Sequence, residues 1–275
     1  MFYIIGIVIA IGSLVASIVH LGQSANSYFD FVGFVMVIGG TIAAAAITFP
    51  WEISREILYR CKELFVRSLP DRKQLLIDCM DVNKNLLNGV YSLEIKGVDL
   101  PKQILRDGIE LIQLGFTLDK IEAVLKERLY QSVERSKQVG VAIRSLAKYP
   151  PAFGLAGTVL GLVHLMRGVS DGMSPQETGI RMAIALIATF YGLLVANLIV
   201  NPAGEAITKN AIEDGKLGEI ALHAILLAAE KVNLLEAQEM LNSYVEDNDR
   251  VDVIGLEKVN DAQEESSESK EVGAA

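Results

Sequence analysis

The chain has 275 residues, of which 51% are hydrophobic and 21% are charged, and its formal net charge is −9 at pH 7. Residues 246–275 hold ten acidic and three basic residues, so most of the excess negative charge belongs to the end of the chain. We expect no nucleic-acid partner for a chain with this charge.

Four long apolar stretches run through the chain, at residues 2–19, 31–49, 149–166 and 182–203, and none has an acidic residue in its interior. Each is close to the ~20 residues that an α-helix needs to cross the ~30 Å hydrocarbon core of a bilayer. A soluble core could hold one such helix, but four predict an all-α, polytopic membrane protein with four transmembrane helices. We expect the first stretch to be a retained helix and not a signal peptide, because no Lys or Arg precedes Arg55.

Basic residues are distributed unevenly between these stretches. Of the 25 Lys and Arg residues, 17 lie in residues 51–148 and none in residues 20–30, and only Arg167 and Arg181 lie between the third and fourth stretches. The positive-inside rule therefore predicts that residues 51–148 and both chain ends are cytoplasmic.

Residues 51–148 are predicted to form a cytoplasmic helical domain. Breakers at Pro70, at residues 97–101 and at residues 115–117 separate its helices. A buried face of the last helix is predicted from apolar residues at helical spacing, namely Ile121, Val124, Leu125 and Leu129. The domain shows no strand alternation, phosphate loop, nucleophile elbow or catalytic triad, so we do not expect an enzyme.

The remaining divisions follow from composition. Residues 1–50 are predicted to hold the first two transmembrane helices, and residues 149–204 the last two. Residues 205–245 keep an apolar face at helical spacing, which predicts a C-terminal cytoplasmic helix. Residues 246–275 form an acidic tail that we expect to be disordered, because it has too little apolar surface to offset the entropy of ordering.

The two cysteines, Cys61 and Cys79, both fall within residues 51–148. In a reducing compartment we expect them to be free thiols that fill space as small apolar residues do. The sequence has no CxxC or His/Cys ligand spacing, so it does not predict a metal site of that kind.

Polar residues, but no acidic ones, occur inside the last two apolar stretches: Thr158, His164, Thr189, Tyr191 and Asn197. An intramembrane carboxylate is the usual mark of an ion-coupled protein. Either the chain moves no cation, or another subunit contributes the acid while hydroxyl and carbonyl oxygens here ligate a hard cation or bond that acid. The alternative for each threonine is a hydrogen bond to a carbonyl one turn back in its own helix. For His164 the alternative is a neutral interior histidine.

Four motifs then resemble a known family: VMVIGGTIAAAAITFP (35–50), GVYSLE (89–94), PAFGLAGTVLGLVHLM (151–166) and MAIALIATFYGLLVANLIVNPAGE (182–205). Together with the order of the spans, they make the chain similar to MotA/PomA, the ion-channel stator subunits of the bacterial flagellar motor, within the MotA/TolQ/ExbB group. The resemblance implies a multi-pass protein of the bacterial inner membrane, in contact with membrane lipid and without a resident cofactor. It implies a homopentamer around two copies of a MotB/PomB-like partner, which has a single span bearing an ion-binding aspartate and a peptidoglycan-binding domain. Flow of Na⁺ or H⁺ would then rotate the pentamer and turn the rotor switch protein FliG.

The resemblance also implies roles for individual residues. Pro151 and Pro202 match the family's conformational prolines near the cytoplasmic ends of the third and fourth spans. Thr158 and Thr189 match threonines typical of sodium-driven members, which makes them possible Na⁺ ligands and favours sodium over protons. The ion path is expected to include these two threonines together with Pro151, Tyr191 and Asn197.

For the rotor contact, the resemblance implies Glu94 in the torque-generating cytoplasmic domain. The family's basic residue eight positions earlier is replaced here by Leu86, and the nearby Lys84 is the candidate substitute. The alternative for each of these charges is an ordinary solvated helix face.

Two other functions stay open from the sequence. A TolQ/ExbB-like energiser of envelope transport usually has one span before the cytoplasmic block, whereas two are predicted here. A structural membrane scaffold would need no ion flux. A transporter acting alone is disfavoured, because the sequence has neither an intramembrane acid nor an inverted repeat of broken helices.

Overall fold

The computed structural model describes residues 2–20, 22, 28–66, 71–91, 93 and 95–252. In these residues the chain forms ten α-helices, a π-helical turn and a final 3-10 turn, and no strand occurs among them. The α-helices are α1 (Phe2–His20), α2 (Phe31–Thr48), α3 (Trp51–Val66), α4 (Arg72–Leu87), α5 (Leu100–Gln113), α6 (Leu118–Leu146), α7 (Tyr149–Ser170), α8 (Pro175–Leu194), α9 (Asn201–Ala229) and α10 (Leu234–Asn242). The prediction of an all-α chain is confirmed, whereas the disorder expected of the tail from residue 253 onward lies outside the described residues.

Three helical stretches among the described residues are long and apolar enough to cross a membrane. They lie in α2, in the run Leu118–Ser170 that contains α7, and in the run Pro175–Ala229 that contains α8. Helix α1 corresponds to the first apolar stretch of the sequence, and from Ile5 to His20 it is an apolar helix of shorter length.

The starts of these helices follow from local chemistry. The carboxylate of Asp30 accepts hydrogen bonds from the first N–H groups of α2, and the Ser174 hydroxyl accepts one at the start of α8. Pro175 occupies the first turn of α8, and Pro150 and Pro151 occupy the first turn of α7, where a missing N–H costs no intrahelical hydrogen bond. The paired prolines therefore begin the third apolar helix.

The chain divides into two compact units, which we call the first unit (residues 1–69 and 135–210) and the second unit (residues 70–134 and 211–275). In the first unit α7 and α8 pack through small residues. A Cβ added to Gly154 would lie 2.7 Å from the carbonyl oxygen of Ala188, and one added to Gly161 would lie 2.7 Å from the Cβ of Ala185. Glycine at these positions therefore lets the two backbones approach closely, as is usual for helices in lipid.

A π-helical turn, Val195–Val200, joins α8 to α9. Its hydrogen-bond pattern is visible at Asn201, whose N–H donates to the carbonyl of Ala196, five residues back. Pro202 follows directly and has no N–H to donate, and a proline ring also crowds the carbonyl four residues before it. The wider turn accommodates the proline, so the helix does not stop where the fourth apolar stretch ends but continues to Ala229.

The second unit has a conventional hydrophobic core. The predicted buried stripe of α6 is confirmed, since Ile121, Leu125 and Leu129 are buried there and Val124 packs against them. The core also contains a polar side chain, Asn83, whose Nδ2 donates to the carbonyls of Cys79 and Ala224 at 3.0 Å each. This amide ties α4 to α9 inside the unit.

Both cysteines are free thiols, as predicted. Cys79 is fully buried in the core of the second unit, and Cys61 is half-buried at the edge of a small apolar cluster in the first unit. Burial raises the pKa of both thiols. They therefore stay protonated and act as small apolar side chains.

Candidate functional site

Thr158 of α7 and Thr189 of α8 face each other, with their hydroxyl oxygens 2.6 Å apart. The Thr158 hydroxyl lies 3.2 Å from the carbonyl oxygen of Gly154, one turn back in its own helix, and 3.0 Å from that of Ala185 in α8. The Thr189 hydroxyl lies 3.4 Å from the Gly154 carbonyl, across the helix contact. The bond within its own helix that the sequence allowed is therefore present for Thr158, but both threonines also bridge α7 and α8.

These contacts bring four oxygen atoms together at a buried point between two apolar helices. Two hydroxyls carry only two protons, so they cannot satisfy each other and both carbonyls completely. Hydroxyl and carbonyl oxygens are the neutral ligands that a hard cation takes when it loses water. The arrangement can therefore bind or pass such an ion without any charge of its own.

The carbonyls of Gly154 and Ala185 were not identified from the sequence. A signal for them existed, because each lies four residues before a threonine and is the oxygen that a helical threonine normally bonds. What the sequence does not contain is the fact that the two threonines lie opposite each other.

Tyr191 lies only two residues, about half a helical turn, after Thr189, so it points to a different neighbour. Its hydroxyl donates to the carbonyl of Tyr28 at 2.5 Å and accepts from the N–H of Asp30 at 3.1 Å, and its ring makes an edge contact with Phe34. Tyr191 thus fixes the chain that enters α2, and the structure does not bring it to the pair of threonines.

Asn197 lies in the π-helical turn. Its Nδ2 donates to the carbonyl of Leu193 at 3.0 Å, and the amide of Asn201 lies 3.5 Å from its Oδ1. In the single chain Asn197 is exposed and Asn201 is half-buried. The two amides form a short run of polar contacts along the α8–α9 junction.

The two prolines that the resemblance predicts to be conformational flank the end of α8 differently. Pro151 lies in the first turn of α7, and a Cβ added to Gly192 of α8 would lie 2.9 Å from the Cα of Pro151. Pro202 is the second residue of α9, which follows directly after the π-helical turn. Both therefore lie where backbone geometry departs from a regular helix or where two backbones touch.

A cavity of about 420 Å³ lies between α2, α7 and α8 in the first unit. Its walls are mostly glycine and apolar side chains, and three ionisable groups border it: Asp30, His164 and Arg181. His164 does have a partner, because Nη1 of Arg181 lies 3.1 Å from its Nε2 and can only donate. Arg181 is held in turn by Glu177 at 2.9 Å.

Of the residues predicted to contact a rotor, Lys84 lies in the last turn of α4 and is half-buried, and Glu94 lies outside the described residues. Leu86 is buried in the core of the second unit. The position that is basic in the family is therefore an apolar core position here and cannot present a charge.

Comparison with known proteins supports the resemblance. The MotA/TolQ/ExbB proton channel family matches residues 98–214. Motility protein A of Aquifex aeolicus is 30% identical over 210 residues, which cover 75% of this chain and 81% of that protein. Chemotaxis protein PomA of Vibrio alginolyticus is 22% identical, covering 84% of this chain and 89% of that protein.

The fold comparison agrees. The structure of the flagellar MotAB stator complex from Bacillus subtilis contains a chain with a TM-score of 0.79 and 20% identity, covering 90% of this chain and 96% of that one. The chain belongs to the MotA/PomA family of flagellar stator subunits. MotA/PomA proteins are channel-type membrane subunits, so the predictions of a membrane protein and of no enzymatic activity are confirmed.

Proposed function

We propose that this MotA/PomA chain assembles as a homopentamer around two copies of a MotB/PomB-like single-span subunit and couples sodium flow across the bacterial inner membrane to rotation. In this proposal both chain ends and residues 51–148 are cytoplasmic, and the cytoplasmic domain turns the rotor switch protein FliG. The observation that carries the proposal is the pair Thr158–Thr189, an oxygen cluster inside apolar helices that lacks a carboxylate.

The missing carboxylate supports a partner that brings one. Residues 149–170 and 178–204 contain no Asp or Glu. A path that takes a cation through the bilayer needs a group that binds and releases it, and a neutral cluster cannot titrate. The Bacillus subtilis neighbour is a MotAB complex, which supports a MotB-type subunit as the source of the acid.

The chemistry of the cluster supports sodium. A hydroxyl oxygen replaces part of the hydration shell of a cation, whereas the methyl group of alanine cannot. The carbonyls of Gly154 and Ala185 lie within 3.2 Å of the Thr158 hydroxyl and add two further oxygens. The pair is thus equipped to lower the desolvation cost of an ion passing to or from the partner's acid.

The surface of the first unit supports an assembly in lipid. Large apolar side chains there are exposed in the single chain, and Ile47 is 88% and Val32 75% accessible. Exposure of this kind is unfavourable in water and is expected of helices that face lipid or other copies of the chain. These exposed apolar side chains also support the proposal that the pentamer contacts membrane lipid.

The energy of the ion gradient is sufficient for the work. One elementary charge that crosses 100 mV releases ~2.3 kcal/mol, so several ions per rotation drive a displacement against load. Pro151 and Pro202, which flank irregular backbone at the end of α8, are the proposed points at which the helices change conformation.

The proposal is tested by replacing Thr158 with alanine in a motile host whose own stator genes are deleted. The unsubstituted chain, expressed with its MotB/PomB-like partner, should restore swimming whose speed rises with sodium concentration. Thr158→Ala should reduce swimming by about tenfold or more, because one hydroxyl lost from a desolvated ion path costs roughly 1–3 kcal/mol.

Two variants serve as controls. Thr158→Ser keeps the hydroxyl and should restore most of the speed, and Thr41→Ala in α2 removes a hydroxyl that bonds the Val37 carbonyl of its own helix. A swimming speed of the unsubstituted chain that does not change across the sodium titration would contradict the choice of sodium.

A further inference from the structure

Between α4 and α5 the residues that the structure describes, which exclude Ser92 and Glu94, form neither helix nor strand, and side chains of α5 hold them at four points. We call residues 90–98 the strap. Four of its backbone carbonyls accept hydrogen bonds from long side chains of α5: Tyr91 from Gln113 at 2.9 Å, Ile95 and Gly97 from Arg106 at 3.0 and 2.5 Å, and Val98 from Gln103 at 2.6 Å. In the described part of the strap these side-chain donors satisfy backbone carbonyls that a neighbouring strand would bond in a sheet.

The three donors lie on one face of α5. Gln103, Arg106 and Gln113 are three and seven residues apart, which is the spacing of a single helix face. The opposite face of α5 is buried in the core of the second unit through Ile104 and Leu105. Helix α5 is therefore anchored on one side and offers a row of fixed donors on the other.

The strap is also anchored by its own side chains. Leu93 and Ile95 are partly buried and pack against the core of the second unit. Its backbone turns sharply at Gly97, whose φ of +127° is available to glycine but strained for other residues. This turn brings the carbonyl of Gly97 to the same Nη1 atom that bonds Ile95.

Arg106 makes the central pair of hydrogen bonds between α5 and the strap. Its charged guanidinium donates to two carbonyls at once, and hydrogen bonds from charged donors are stronger than those from neutral amides. The two glutamines each hold one carbonyl nearer the ends of the strap. Removing Arg106 therefore releases the strap at Ile95 and Gly97.

We propose that Arg106 is a positioning residue for the rotor contact: it fixes Ile95 and Gly97 on α5, directly after the GVYSLE segment, so that the force on this segment is carried by a rigid support. This inference rests on the proposed function and on the rotor contact that the family resemblance implies at Glu94. A charge on a loose loop moves with the partner and transmits little force, whereas a charge on a fixed backbone transmits the displacement of the whole unit.

The role of Arg106 in holding the strap is tested directly by trypsin cleavage after Lys96, an exposed residue of the strap. Cleavage of a held segment requires local opening, and its rate follows the population of the open form. In the purified full-length chain with its partner, Arg106→Gln should speed cleavage after Lys96 by about tenfold or more, because a hydrogen-bonded charge is lost.

The matched control is Arg128→Gln, which removes an arginine that contacts the neighbouring α5 residue, Asp107, at 2.8 Å but is not a donor to any of the four strap carbonyls held by α5. It should leave the cleavage rate after Lys96 unchanged. Equal cleavage rates after Lys96 in Arg106→Gln and in the unsubstituted chain would show that Arg106 does not hold the strap.

The rotor role is tested by the stall torque of single motors. Arg106→Gln should lower torque with the same number of stators incorporated and the same dependence on sodium, and Arg106→Lys should recover part of it because it keeps a charged donor. In a Glu94→Ala background, Arg106→Gln should cause no further loss of torque, since it acts through the strap.

Additive losses in the double variant would mean that Arg106 acts independently of Glu94 and would overturn the positioning role. Failure of the unsubstituted chain to restore motility would instead overturn the proposed function and with it the rotor assignment. The trypsin result is independent of motility, so the two failures are distinguishable.

Discussion

In the second unit, 24 buried residues form one hydrophobic cluster, whereas the corresponding cluster in the first unit has five among the described residues. The first unit instead exposes its large apolar side chains and buries small ones where helices meet. The four apolar stretches identified in the sequence lie in the first unit, where large apolar side chains are less buried than in the second. Hydrophobicity along the chain therefore marks contact with lipid or other chains here, and not the position of the core.

The physical reason is the solvent. In water, burying apolar area stabilises a fold by about 25 cal/mol per Å², which favours a large packed core such as that of the second unit. In lipid there is no such gain, because lipid tails are as apolar as leucine. Helices then associate through close backbone approach and a few polar contacts, which is what Gly154, Thr158 and Thr189 provide between α7 and α8.

The largest difference between the units should appear when a large apolar residue is truncated in each. Leu105 of α5 is fully buried, and Leu105→Ala should lower the free energy of unfolding of the second unit by about 2–5 kcal/mol. Ile47 of α2 is 88% accessible, and Ile47→Ala should change stability by less than about 0.5 kcal/mol. Denaturant unfolding of the purified full-length chain measures both, and a comparable loss for Ile47→Ala would show that the first unit has a water-type core after all.

A smaller effect is expected from adding one carbon in the first unit. In Gly154→Ala the new Cβ would lie 2.7 Å from the Ala188 carbonyl oxygen and 3.0 Å from the Thr189 Cα, both backbone atoms that cannot rotate away. Separating the helices should cost about 1–3 kcal/mol and displace the two threonines, so that swimming is lost. The measurements are thermal stability in detergent and swimming speed in the complemented host.

The matched control for this change is Gly39→Ala in α2, where an added Cβ meets no described atom within 4 Å beyond the adjacent backbone of its own helix. It should leave stability close to that of the unsubstituted chain. Equal losses at Gly39 and Gly154 would mean that close backbone approach is not what holds α7 and α8 together.

Much of the fold was predictable because it depends on local chemistry. Helix α2 begins at Phe31 after the Asp30 cap, and α7 begins at Tyr149 with the paired prolines, where the apolar stretches begin. The start of α8 was not predictable from hydropathy, because hydropathy reports the lipid-facing part of a helix. Helix α8 starts at Pro175, and the stretch itself begins at residue 182.

The candidate site was predictable only as a set of residue types. Thr158 and Thr189 are 31 positions apart, so nothing local fixes the distance of 2.6 Å between their hydroxyls. Tyr191, which the sequence grouped with them, bonds Tyr28 and the N–H of Asp30 instead. The strap was missed for a similar reason, because carbonyl bonds from Gln103, Arg106 and Gln113 leave no mark in hydrophobic periodicity.

The smallest expected effect is a pH dependence that belongs to the second unit. Burial raises the pKa of the Cys79 thiol far above its usual range, and the charge of Asp78 adds to the rise. The folded chain therefore keeps a proton that the unfolded chain loses above its ordinary thiol pKa of about 8.5. Stability should be constant with respect to this group below that pH and should fall above it, by up to about 1.4 kcal/mol per pH unit.

Cys79→Ala removes this titration, so the difference in unfolding free energy between the variant and the unsubstituted chain should shrink as the pH rises from 8 to about 10. Burial also raises the pKa of Cys61 in the first unit, but this thiol is only half-buried, and Cys61→Ala should flatten the pH dependence less. Unfolding midpoints of the two variants and the unsubstituted chain, measured from pH 8 to about 10, test this pH dependence. If Cys79→Ala left the pH dependence intact, the core of the second unit would admit water at Cys79. The difference in packing between the two units would then be smaller than the structure implies.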